Sequence, residues 1–325
     1  MTAQEYLLSK LDELKQPLGL SVPDESELAN KIFKIVTTKP FRKYSASQEL
    51  LESIKNSIEL NIKNNEPISF VYPHGIYKLW RLEEAPEADW AELFTFIYYT
   101  SWLKGICEIY KPGVWFDFYA DDLLIPKINF IGLEEVHKYL HSYQKLLDFL
   151  ADYRPKNFNM TITPVGSRFK SQEEFYTLLE QDTAKLAKEL PNGLPELNEK
   201  RIATIELNSN PTEEQKSDPR WKEEVALIHD AYLAYTKRNT NYHNLPNKIR
   251  VFTTPLPAGT YLAVGTTKSS IAKFWVGVGA LKVKGESFKQ VILTPKQIAQ
   301  SGAHWEELKI DGLDGKNFTK IRVIE

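Results

Sequence analysis

Apolar residues recur at helical spacing through the first sixty or so positions of the chain. Tyr6, Leu7, Leu8, Leu11 and Leu14 fall on one face, and Pro17 with Gly19 ends that segment. Asp24-Glu25-Ser26-Glu27 opens a second helix carrying Leu28, Ile32, Phe33 and Val36. Ser45 is expected to cap a third, on which Leu50, Leu51, Ile54, Ile58 and Ile62 align. Residues 1–64 therefore read as a helical N-terminal segment. The pattern then changes to a short apolar run at 67–72, rich in β-branched and aromatic residues and broken by Pro73 and Gly75, which reads as a buried strand. An aromatic helix over 89–110, a strand over 114–119, a helix from 133 to about 153 and a strand over 159–163 follow. Alternation of strand and helix is the signature of a parallel sheet with right-handed crossovers.

From 169 to 240 the pattern is mostly helical, punctuated by Pro191, Pro195, Pro211 and Pro219, and 201–207 fits helix or strand equally. Strand patterns return at 249–252, 261–264 and 274–281, with 290–293 and 320–324 adding more. Their short connections predict antiparallel hairpins. No internal repeat or low-complexity linker divides the chain. Residues 65–325 are expected to form a single α/β domain. Its central mostly parallel (mixed) sheet would be Rossmann-like, flanked by helices and extended by antiparallel C-terminal strands.

Charge and composition narrow the function. A formal net charge of -2 gives no global field to draw the chain to nucleic acid or an anionic membrane. No run approaches the roughly 18–20 apolar residues that span a bilayer, and Met1-Thr2-Ala3-Gln4-Glu5 does not open a signal peptide. The single cysteine, Cys107, excludes an internal disulfide and a thiolate zinc site, and a cytoplasmic location is expected. No zincin, P-loop, serine-elbow or EF-hand pattern occurs, so neither metal nor cofactor is expected. His137 and His141 lie four apart on a helix but lack a third ligand, and read as a solvent-facing pair. Val276-Gly277-Val278-Gly279 has two glycines at dinucleotide-loop spacing without the third glycine or a following helix. These glycines are expected to mark close backbone approach.

The candidate chemistry sits at strand ends, where open α/β sheets bind ligands. The loop after the first strand carries His74, Tyr77, Lys78, Trp80 and Arg81, and two cations beside aromatic platforms suit a phosphate or carboxylate. Asp121 and Asp122 follow the next strand and are general-base candidates, with Asp117 a further one. His74 and His304 are acid–base candidates near strand-end loops. Lys273, beside Phe274-Trp275, is expected to join Lys78 and Arg81 in one pocket. The plain alternatives are solvated loops and an acidic turn.

In order and spacing, several of these segments resemble the isocyanide (isonitrile) synthase family of paerucumarin- and dityrosine-type enzymes. They are Phe70-Val71-Tyr72-Pro73 with Lys78 and Arg81, then Pro86-Glu87-Ala88-Asp89-Trp90-Ala91-Glu92, then Tyr110-Lys111-Pro112-Gly113 with Ala120-Asp121-Asp122. Leu262-Ala263-Val264, Lys273 and Phe274-Trp275-Val276-Gly277 complete the series. The resemblance runs from about 65 to the C-terminus. It departs where the family's Ser-Ile-His stands as Ala263-Val264-Gly265, leaving His304 as the substitute. The resemblance implies condensation of an amino acid, aromatic favoured, with a sugar phosphate such as ribulose 5-phosphate, without metal. It gives Lys78, Arg81 and Lys273 the anions, with Tyr77 and Trp80 beside them, and gives Asp121, Asp122, His74 or His304 the protons. It favours Asp122 as the inward carboxylate. Two other functions stay open: a diverged relative that binds a phosphorylated or amino-acid ligand as a sensor or a different lyase or transferase, and an interaction module.

Overall fold

A computed structural model describes residues 1–75, 77–237, 245–254 and 260–325. Three helices open the chain: α1 (Ala3–Lys15), α2 (Glu25–Val36) and α3 (Gln48–Lys63). Thr2 closes a capping box on α1, and Ser47, rather than Ser45, caps α3 by accepting from Leu50 N. Their apolar faces (Leu7, Leu11, Leu14, Ile32, Val36, Ile54, Ile58) belong to the same core cluster as the sheet.

Then β1 (Ile68–His74), α4 (Trp90–Ile109), β2 (Val114–Ala120), α5 (Ile125–Ile128), α6 (Leu133–Ala151) and β3 (Phe158–Pro164) alternate as the pattern predicts. Next come α7 (Gln172–Glu189), α8 (Glu199–Asn208), α9 (Glu213–Ser217) and α10 (Trp221–Ala231), so 201–207 is helical. A π-helical turn, Tyr232–Thr236, continues α10. The last elements are β4 (Lys248–Phe252), β5 (Leu262–Ala263), β6 (Val278–Lys284), β7 (Ser287–Leu293), α11 (Pro295–Gln300), β8 (His304–Glu307) and β9 (Lys320–Ile324).

Among the described residues the central sheet has five strands in the order β3-β2-β1-β4-β5, all parallel. One face carries Phe70, Tyr72, Phe116 and Phe118, packed against Phe96, Tyr99 and Trp102 of α4. α4 is apolar around most of its circumference because neighbours cover it on several sides. The other face, with Val71 and Tyr119, packs on Phe175, Leu179 and Tyr232.

The C-terminal expectations need two corrections. Residues 249–252 and 261–264 do not form a hairpin, because β4 and β5 join the central sheet as parallel strands. β6 to β9 do not extend that sheet; they form a second, mixed one in the order β7-β6-β9-β8. Residues 274–276 are a 3-10 turn, with strand beginning only at Val278. The glycines there do mark close approach: a Cβ on Gly279 would lie 2.4 Å from the Trp90 backbone, and one on Gly277 would lie 2.6 Å from Leu293 O.

The sheet order reverses at β1. The chain builds outward from β1 through β2 to β3, then returns to the other side for β4 and β5. The crevice at the carboxyl ends of β1 and β4 is thus a topological switch point, where open α/β sheets leave room for a ligand.

Candidate functional site

A cavity of about 840 Å³ opens at that switch point. Its sheet end is lined by Pro73, Gly75 and Tyr77 after β1, Asp121 after β2, Arg250 and Phe252 of β4, Tyr261, and Lys273 with Trp275. Its far wall is α5 with its C-terminal cap Asn129, and α8 and α10, which contribute Arg201, Asn208, His229 and Asp230. Apolar rings with a few polar groups at one end is the usual composition of a small-molecule site.

Asp121 is the carboxylate at the sheet end. Its backbone N–H donates to His74 O at 3.1 Å, continuing the β1–β2 pairing one residue past the strand. Its side chain accepts from the Tyr232 hydroxyl at 2.5 Å and from Lys237 Nζ at 3.3 Å. The π-helical turn explains how both reach it. Residues five apart lie about 140° apart around an α-helix of 3.6 residues per turn. Hydrogen bonding from i to i+5 brings such a pair much closer to one face, and π turns recur at functional sites. Lys237 also lies 5.4 Å from the Tyr232 ring centre and 5.8 Å from that of Tyr119. Burial and the Asp121 carboxylate hold the Tyr232 hydroxyl far above its usual range, so it stays a donor.

Asp122 turns the other way. Buried, it accepts from Gly166 N at 2.9 Å and fastens the turn after β3. Burial raises its pKa. Alternation along the chain thus puts Asp121, not Asp122, toward the cavity.

Two further cations line the same cavity as Asp121. Arg250 lies 5.6 Å from the Tyr261 ring. Lys273 Nζ lies between the rings of Phe252 (5.3 Å) and Trp275 (5.7 Å), and burial lowers its pKa. Trp275 closes tightly on the loop after β1, since a Cβ on Gly75 would lie 2.6 Å from its Nε1.

The expectation that Lys78, Arg81 and Lys273 share one pocket is not met. Lys78 is buried behind the wall, where its Nζ donates to Asp89 Oδ1 (3.1 Å), Glu92 Oε2 (3.0 Å), Phe274 O (2.9 Å) and Gly277 O (2.8 Å). Asp89 and Glu92 are also the capping box of α4. Lys78 therefore clamps the segment that carries Lys273 and Trp275 rather than meeting a ligand. Glu92, which also accepts from the Tyr139 hydroxyl, has its pKa raised by burial. Arg81 and Trp80 are exposed and outside the lining, whereas Tyr77 lines it.

The histidines part company too. His74 is fully buried in a cage of Phe118, Tyr139, Tyr143, Phe274 and Trp275, and neither ring nitrogen has a hydrogen-bond partner. Burial, then Lys78, lower its pKa well below 6.5. His304 sits exposed on β8, 3.6 Å from Glu306, away from the cavity. His137 and His141 are exposed, and no three His, Cys, Asp or Glu side chains cluster as a metal site among the described residues. Asp117, inside β2, is buried and accepts from Thr161 and Thr163 hydroxyls at 2.6 and 2.8 Å.

Sequence reasoning missed Tyr232, Lys237, Arg250 and Tyr261. Arg250 was legible in one respect, because a cation flanked by Ile249 and Val251 within a strand needs a polar place to go.

The chain shares its fold with PvcA. A crystal structure of the PvcA protein from Pseudomonas aeruginosa matches it with a TM-score of 0.67 at 14% identity, covering 92% of this chain and 100% of that one. At this identity the likeness shows architecture alone. No protein-family model and no curated protein matches the sequence. No helix among the described residues is long and apolar enough to cross a membrane.

Proposed function

We propose that the protein is an isocyanide-synthase-type enzyme that condenses the amino group of an amino acid, aromatic favoured, with a sugar phosphate such as ribulose 5-phosphate. The observation that carries this reading is the convergence of Lys237, Arg250 and Lys273 with Asp121 in one cavity at the switch point. Cations gathered at an open crevice suit an anionic ligand, and this reaction has two, a phosphate and an amino-acid carboxylate. Arg250 can form a planar fork to either, and Lys237 adds a point charge. Asp121 is the group placed to take protons from the amine and the adjacent carbon, with the Tyr232 hydroxyl a donor beside it. Phe252, Tyr261 and Trp275 give an aromatic side chain faces to pack on. The order of the sequence motifs and the shared fold with PvcA support the same assignment.

The test is incubation with ribulose 5-phosphate and tyrosine or tryptophan, with products followed by mass spectrometry. The expected result is an isonitrile product, with turnover of Asp121→Asn reduced by roughly 10²–10⁴-fold. The absence of any product from every aromatic amino acid would reject the reading.

A second reading is favoured by Ala263-Val264-Gly265 at the place of the family's Ser-Ile-His. In it the same cavity binds a phosphorylated or amino-acid ligand without isonitrile chemistry. Thermal stabilisation by ribulose 5-phosphate without turnover would choose it.

A further inference from the structure

Three lysines at or just behind the sheet end of the cavity have different surroundings. Lys78 is clamped by Asp89 and Glu92, and Lys237 pairs with Asp121. Lys273 has no carboxylate within ion-pair distance and no hydrogen-bond acceptor for its Nζ among the described residues. Its Nζ faces two rings that line the cavity with it, Phe252 and Trp275. Ring faces at 5.3 and 5.7 Å favour an ammonium less than an adjacent carboxylate does.

The backbone that presents it is fixed. Lys273 O accepts from Val276 N at 3.2 Å, closing the 3-10 turn, and Lys78 holds Phe274 O and Gly277 O from behind. Trp275 is seated on Gly75. A lysine with no counter-ion, held at a rigid turn against apolar rings in an open cavity, is the arrangement that makes an amine nucleophilic.

We propose that Lys273 is a carbonyl-reactive lysine, whose Nζ forms an imine with the ketone of a small hydroxyketone bound in the cavity. The neutral amine attacks the carbonyl carbon, and one N–H proton passes through solvent to the oxygen to give a carbinolamine. Its hydroxyl takes up a second proton from solvent and leaves as water, and the nitrogen gives its one remaining proton back to solvent. The C–O bond breaks as the C=N bond forms, with no change of oxidation state. A substrate amine can then attack the imine carbon and expel Lys273 Nζ, which returns the lysine unchanged and leaves the substrate imine. The proposal rests on the carbonyl partner of the reading above. It adds that this partner is activated covalently before the amino acid reacts.

Reductive trapping tests it on the intact protein. The protein is incubated with ribulose 5-phosphate and cyanoborohydride, and in a second arm with unphosphorylated dihydroxyacetone and cyanoborohydride. Adducts are then located by peptide mass mapping. The expected result is one adduct per chain on the Lys273 peptide, formed before any on exposed lysines, and lost in Lys273→Arg and Lys273→Met. Mapping of the parent protein decides the site even if a variant unfolds. An adduct at Lys273 from dihydroxyacetone but not from ribulose 5-phosphate would keep the nucleophile and reject the sugar-phosphate reading. Thermal stabilisation by ribulose 5-phosphate with no Lys273 adduct in either arm would reject the nucleophile and keep that reading. Adducts spread evenly over exposed lysines, or concentrated on Lys237, overturn the proposal.

Discussion

His74 ends β1 and Lys78 follows four residues later, and burial gives them opposite fates. Lys78 meets Asp89 and Glu92 and so becomes part of the scaffold. Its position near a strand end was legible in the sequence. Its role was not, because Asp89 and Glu92 read locally as the start of a helix, and only the fold shows that the same capping box faces a lysine. Lys78→Met is expected to destabilise the protein by about 3–5 kcal/mol, because it strands buried carboxylates without a counter-charge; urea unfolding at neutral pH measures this. An unchanged midpoint would show that the clamp carries no stability. His74 has aromatic rings around it and no partner for either nitrogen. Its pKa is held well below 6.5 by burial, so below 6.5 the unfolded chain binds a proton that the folded chain does not. Stability from this group is therefore present above 6.5 and is lost on acidification toward the lowered value. Glu92 has the opposite sign: its pKa is raised above 4.5, so stability falls as pH rises from there. His74→Phe keeps a ring in the cage and removes the first dependence. Urea midpoints between neutral pH and pH 5 should fall less steeply in this variant than in the parent. Parallel curves would move the acid sensitivity elsewhere.

At the scale of elements, what most needed the structure was the way a helix departs from regularity. The pattern predicts helix through 231–237, but no periodicity signals that Tyr232–Thr236 has π hydrogen bonding, which brings Tyr232 and Lys237 together on Asp121. The parallel pairing of β4 and β5 carried a signal that connection length outweighed. Leu262, Ala263 and Val264 are apolar and buried at consecutive positions, as in strands of a covered parallel sheet, although Lys248-Ile249-Arg250-Val251 in β4 alternates. Helix α8 is the opposite case, with no buried residue although it forms a wall of the cavity. Polar ties hold it. Arg201 bonds Asp230 at 2.6 Å, Ser209 Oγ donates to Ile128 O, and Asn210 N donates to Asn129 O. Burial pushes the Asp230 carboxyl up, but hydrogen bonds from His229 and Arg201 outweigh this and hold it below its ordinary value. The Arg201–Asp230 pair is about one-third exposed, so its loss should cost no more than about 1 kcal/mol globally. Arg201→Ala is therefore expected to speed amide exchange over 199–208 while exchange in β1 and β2 stays as in the parent. Equal exchange along α8 in both proteins would show that the wall is held by its ends alone.

For the whole molecule, strand order decides where distant segments meet. The alternation of strands and helices from 67 to 163 made a parallel sheet readable, and with it the use of strand ends. The sequence alone did not show that β4 returns to the other side of β1, and this placement brings Arg250 and Phe252 alongside Asp121 and Tyr77. A ligand at this switch point should therefore leave a discontinuous footprint. Ribulose 5-phosphate at 100 times its dissociation constant should stabilise the protein by about 2.7 kcal/mol. It should also slow amide exchange together in the loop after β1, the turn at 121–125, the π-helical turn and the segment 273–277. These are separated by long stretches of chain whose exchange should stay unchanged. Added salt should weaken the effect, because exposed parts of the cation cluster are screened over about 8–10 Å at physiological ionic strength. Protection confined to α8 and α10 would instead place the ligand at the far wall with Arg201 and Asp230. The cations at the sheet end would then need another explanation.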